Sequence, residues 1–282
     1  MKNFLNKLLL PFTKESSLAG IFFFFVLSSW YVLRPVRNEM AVSNVENLPL
    51  LLAVGALAML LVNPIYSRLA SKTNLRKLLI YCYSFFILNL LGFLFAWKVL
   101  DLDGVVWLGR AFYIWCNIYS FFVVSIFWVV IINVFRTSKT RNFYGVIMAG
   151  GSIGALVGSE ISKRFANSFT DSGLEFFSIS AITLLFAGLC AGLLLINYTN
   201  SKKNQESTQP LGGASFDGIK NAITKQDIRS IAIYVWLFTG LMTVHWMTAI
   251  SIIDAWSSDC LLYTSDAADE GLGVDLGGRR II

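Results

Sequence analysis

The chain has 282 residues, of which 56% are hydrophobic, 15% aromatic and only 14% charged, with a mean hydropathy of +0.64 and a formal net charge of +6. A water-soluble domain carries about 25% charged residues, so this composition excludes one and points to an integral membrane protein. The apolar runs are helix-length, and the alternating strands of a membrane β-barrel are absent.

Met1 to Ser16 carries Lys2, Lys7 and Lys14, but no small-residue cleavage site follows the next apolar run. That run, Ser17–Val42, is therefore predicted as a first membrane span and not as a signal peptide. Within it, the uncharged stretch from Leu18 to Leu33 runs straight into Arg34-Pro35-Val36-Arg37-Asn38-Glu39. A crossing helix needs ~20 apolar residues, so Arg34 is expected below the far membrane surface, where an ionisable group marks a pathway or binding site. Helical spacing puts Trp30, Arg34 and Arg37 on one stripe, and Tyr31, Arg34 and Asn38 on an overlapping one. Pro35 removes a backbone hydrogen bond and is expected to kink the helix. Guanidinium groups beside aromatic rings suit a phosphate or carboxylate. The bland alternative is that both arginines snorkel to the headgroups; Arg37, nearer the surface, is the weaker of the two.

The second span is predicted at Leu48–Leu69, with a kink at Asn63-Pro64, and the third at Leu75–Leu100, with Asn89 as interhelical glue. The fourth, Val105–Phe135, is rich in aromatics, which at helical spacing are read as packing. Trp107 and Arg110 are placed at the interface, and Asn117 is expected to face protein or a cavity, because an amide in hydrocarbon needs a partner. The fifth, Phe143–Lys163, repeats Gly150, Gly154 and Gly158 every fourth residue, a small-residue face for helix packing. No strand precedes these glycines and no Lys-Ser/Thr follows them, so they are not a phosphate loop. Glu160 is expected to pair with Lys163 or Arg164, or else to face the cavity. The sixth span is Phe176–Tyr198. Thr199–Ile228 is polar and reads as a linker, and Arg229–Ile253 is the seventh span. Its His245, the single histidine, is read as a hydrogen-bonded packing residue and not as a proton relay.

Cys82, Cys116 and Cys190 lie in apolar spans and read as small buried hydrophobes; no metal and no cofactor is expected. From Cys260 the chain changes character, being rich in Gly and Asp without an apolar period. Cys260–Ile282 resembles the peptide read from a sequencing adapter. The expectation is that it is not native and that a second half of the protein is missing.

Loop charges set the expected orientation. One side holds fifteen Lys or Arg, at positions 2 to 14, 68 to 77, 136 to 141 and 202 to 229, against six on the other: Arg34, Arg37, Lys98, Arg110, Lys163 and Arg164. The richer side is expected to be cytoplasmic, with the N-terminus, in a bacterial-type plasma membrane. The positive charge then needs no nucleic acid to explain it. A seven-helix receptor would place its N-terminus outside, which this count opposes.

Six helices, a long cytoplasmic linker and further helices form the plan of a major facilitator transporter, an all-α membrane protein with two six-helix bundles around a central cavity. The loop Ser67–Lys77 sits where that superfamily carries a Gly- and basic-rich motif. Leu69, Lys72, Arg76 and Lys77 fit it, whereas Ser67, Ser71 and Asn74 replace Gly, Asp and Gly.

Three segments, in order, resemble the bacterial and plastid-type ATP/ADP carriers. They are Leu33-Arg34-Pro35-Val36-Arg37-Asn38-Glu39, Val124-Ser125-Ile126-Phe127-Trp128, and Arg141-Asn142-Phe143-Tyr144-Gly145 through Gly154. The resemblance covers roughly residues 17–200 and implies nucleotide exchange, with Arg34 and Arg37 receiving phosphates. Asn117 stands where those carriers have an acidic residue. The expected function is secondary transport of an anionic solute, with Arg34, Arg37, Tyr31, Asn38 and Asn117 lining the site. The chain as written is expected to be inactive without its second bundle. The alternative is a non-transporting scaffold or accessory protein of the same fold; no catalytic constellation supports an enzyme.

Overall fold

The computed structural model describes residues 14–99, 102–135, 143–166, 174–201 and 217–256. The segment Cys260–Ile282 lies outside these, as does most of the linker.

Seven long helices are present among the described residues: α1 Lys14–Val42, α2 Leu48–Lys72, α3 Leu75–Val99, α4 Leu102–Val134, α5 Tyr144–Ala166, α6 Leu174–Ser201 and α8 Gln226–Trp256. Each is long and apolar enough to cross a membrane, as at least ~20 residues at 1.5 Å rise require. Their bounds fall within about three residues of the sequence expectation. Large apolar side chains on the outward faces are open, among them Leu60, Ile65, Leu88 and Phe95. In water such surface is unfavourable; in a bilayer it is the lipid contact. The chain is a multi-pass helical membrane protein.

Two local features depart from the sequence reading. The polar linker ends in a short helix, α7 Asp217–Thr224, where no element is expected. The α1–α2 turn is a single 3-10 turn at Val45–Asn47, and Pro49 falls in the first turn of α2, where a missing N–H costs nothing.

Helix α1 is the central element, in contact with α4, α5, α6 and α8. Its seam with α5 is the tightest. A Cβ on Gly150 would overlap the backbone of Gly20, one on Gly154 the backbone of Phe24, and one on Gly158 would lie 2.8 Å from the carbonyl oxygen of Ser28. Successive glycines thus meet successive turns of α1, and the two backbones touch. With lipid as solvent, such close approach replaces the hydrophobic effect as the source of helix association.

A polar node ties α1 to α4 and α6. Ser29 Oγ lies 2.5 Å from the Tyr119 hydroxyl and 2.8 Å from Ser180 Oγ, and Ser180 Oγ donates to the Ser29 carbonyl at 3.0 Å. Around it, aromatic rings fill the core: Phe23 stacks on Phe127 at 4.1 Å, and Phe112 meets Phe177 edge-on at 5.1 Å. Most α4 aromatics therefore pack, as read from the sequence.

Pro35 lies inside α1, which runs on unbroken to Val42. Its missing N–H orphans the Tyr31 carbonyl four residues back. Ser162 of α5 covers this opened rung, its Oγ lying 3.0 Å from the Val32 carbonyl oxygen and 3.4 Å from that of Tyr31.

Several smaller expectations are corrected or refined. Asn89 donates to the Phe85 carbonyl of its own helix at 2.8 Å, so it satisfies itself and does not glue helices. His245 is exposed, with no hydrogen-bond partner among the described residues. Cys116 is buried, while Cys82 and Cys190 are half-buried, and all three are free. Glu160 pairs with Arg164 at 2.8 Å on the surface.

Candidate functional site

A cavity of about 360 Å³ opens between α1, α2, α4 and α8. Arg37 of α1 reaches into it; Leu52, Gly55, Ala56 and Met59 of α2 form one wall; Tyr113 and Asn117 come from α4; Thr239, Met242, Thr243 and Trp246 come from α8. The cavity lies in the half of the bundle that carries the α1–α2 turn, since Arg37 and Leu52 each stand only ~8 Å or less from that end of their helices at 1.5 Å per residue.

Arg37 is held from every side. Its Nη1 donates to Asn117 Oδ1 at 3.3 Å and its Nη2 to Asn38 Oδ1 at 2.9 Å. Its guanidinium carbon lies 5.4 Å from the Trp30 ring centroid and 5.1 Å from that of Trp246, both within cation–π range. Its Nε is buried without a hydrogen-bond partner. Among the described residues, no carboxylate lies within ion-pair distance of it. A charge removed from water normally takes a counter-ion; here two amide oxygens and two ring faces stand in for one, and N–H groups of the fork stay free.

Tyr113 completes the wall by stacking on Trp246 at 6.4 Å. Below the turn, Ala41, Leu48, Leu51, Tyr113 and Ile250 form a small apolar cluster. It anchors one end of α8 to the bundle while most of that helix stays open.

The predicted site residues therefore divide. Arg37, Asn38 and Asn117 come together at the cavity. Arg34 and Tyr31 do not line it: Arg34 lies over the Tyr31 ring at 5.6 Å, and Tyr31 packs beside Gly158 of α5. The sequence ranked Arg34 above Arg37 by depth along the helix. The rotation of α1 reverses that order, since residues three apart, although on one stripe, still differ by about 60° in azimuth. Gly150, Gly154 and Gly158 form the packing seam and stand apart from the cavity. Arg110 lies over Trp107 at 4.8 Å and donates from Nε to Asn44 Oδ1 at 2.8 Å, fastening α4 to the α1–α2 turn.

Gly55, Trp246 and Tyr113 also line the cavity, although none is predicted as a site residue from the sequence. A signal existed in the seventh span, where Thr239, Thr243 and Trp246 recur at i, i+4 and i+7, one polar-aromatic stripe along the helix. Gly55 gave none, because its role comes from standing opposite Asn117, whose Nδ2 lies 3.9 Å from where a Cβ would be.

No family model, curated protein or solved structure matches the chain.

Proposed function

We propose that the protein is a secondary transporter of the major facilitator type that moves an anionic solute by alternating access. The bundle of α1 to α6 is its first half, with the N-terminus and the Ser67–Lys77 loop in the cytoplasm of a bacterial-type cell. The observation that carries the reading is Arg37. A guanidinium with free N–H groups and no carboxylate partner among the described residues stands at a cavity between four membrane-length helices. An intramembrane charge is costly and is kept for function, and a planar fork with unused donors suits a carboxylate or phosphate. The resemblance to ATP/ADP carriers makes a nucleotide one of the anions to be compared. Alternating access of this type rocks one bundle against another, and α1 to α6 would supply one of them.

The test is counterflow with the full-length protein in liposomes, using labelled nucleotides, sugar phosphates and carboxylates. Exchange of at least one anion is expected, and its loss in Arg37→Ala. If no anion exchanges although the protein is correctly inserted, the non-transporting alternative takes its place.

A further inference from the structure

We infer that the cavity takes a singly charged carboxylate with a compact apolar body, and not a nucleoside polyphosphate. This rests on the reading of the cavity as an anion site and narrows it.

Charge balance comes first. Arg37 is the one charged side chain lining the cavity among the described residues. One carboxylate would neutralise it. A single phosphate monoester already carries about −1.5 to −2 charges near neutral pH, and a polyphosphate carries more. The excess would sit in a low-dielectric cavity that no second cation lines, Arg34 acting on Arg37 only from outside the lining, an arrangement that is unfavourable.

The shape of the guanidinium's surroundings comes next. The rings of Trp30 and Trp246 occupy its neighbourhood at 5.4 and 5.1 Å, and Asn38 and Asn117 each take one N–H of a terminal nitrogen. The free donors, including the buried Nε, accommodate one two-oxygen group. Of the lining hydroxyls, that of Thr243 is already spent on the Thr239 carbonyl at 2.8 Å.

The walls decide the rest of the molecule. Leu52, Ala56 and Met59 face the space from α2, and Met242 from α8. Aliphatic and thioether walls reward an apolar body. Gly55 leaves its own part of the wall open: a methyl group added there would meet only Asn117 Nδ2 within 4 Å, at 3.9 Å.

The experiment is calorimetric titration of the purified chain in nanodiscs with acetate, hexanoate, phenylacetate, succinate, AMP and ATP. Hexanoate and phenylacetate are expected to bind at least about 10-fold more tightly than acetate, succinate or either nucleotide. Arg37→Gln is expected to lower hexanoate affinity at least about 10-fold. Gly55→Val keeps the arginine and fills the wall, and is expected to weaken hexanoate more than acetate. Tighter binding of ATP or AMP, lost in Arg37→Gln, overturns the monocarboxylate inference and leaves the anion site standing. Absence of any Arg37-dependent binding overturns both. If Arg37→Gln does not fold, the wild-type ranking and Gly55→Val still decide: equal weakening of acetate and hexanoate contradicts an apolar body.

Discussion

The guanidinium of Arg37 on α1 lies 5.1 Å from the ring centroid of Trp246 on α8. This pair bridges the six-helix bundle and the seventh span, whose remaining surface is largely open. A desolvated cation–π contact contributes about 0.5–2 kcal/mol. Trp246→Leu is therefore expected to loosen α8, seen as faster proteolysis in the 217–256 segment and a lower Tm, with Trp246→Phe intermediate. In a double-mutant cycle with Arg37→Met, a coupling of about 0.5 kcal/mol or more is expected. Strict additivity would remove the bridge from the account.

The glycine seam makes a sharper contrast. In a helix, Gly→Ala ordinarily stabilises by up to about 1 kcal/mol. At Gly154 the added Cβ meets the Phe24 backbone of α1, which has no room to yield. At Gly192 nothing lies within 4 Å. Gly154→Ala is expected to cost about 1–3 kcal/mol by overpacking, whereas Gly192→Ala should be neutral or stabilising. Thermal unfolding in one detergent compares them directly, and equal effects would refute the seam.

Ser162 and Pro35 form a second testable pair. The Ser162 hydroxyl covers the rung that Pro35 opens. Ser162→Ala should cost about 1 kcal/mol, because it strips a partner from a buried carbonyl. In a Pro35→Ala background the helix regains its own donor, so the same change should cost clearly less. The readout is Tm for the four proteins of the cycle.

The surface pair Glu160–Arg164, with side chains 51% and 77% exposed, should behave differently. Glu160→Gln is expected to shift stability by no more than about 0.5 kcal/mol. A larger loss would mean that Glu160 has a role inside the membrane.

Much of this architecture was legible in the chain. Helix bounds were, because a bilayer of fixed thickness demands apolar runs of fixed length, and Gly150, Gly154 and Gly158 announced their seam through spacing alone. Position along the span was legible too, which is why Arg34 stood out. Azimuth was not: which of Arg34 and Arg37 faces the cavity depends on how α1 rotates when the α5 glycines dock on Gly20, Phe24 and Ser28. Likewise Trp246 and Gly55 are ordinary residues in their own helices and acquire meaning only from what stands opposite. Asn89 misled because an amide can satisfy itself on its own helix.

The most direct measurement is solute uptake by the full-length protein in proteoliposomes, comparing Arg37→Ala with Arg34→Ala at matched incorporation. Arg37→Ala is expected to abolish uptake, and Arg34→Ala, altered outside the cavity lining, to retain a substantial part of it. Uptake lost with Arg34→Ala and kept with Arg37→Ala would contradict this expectation.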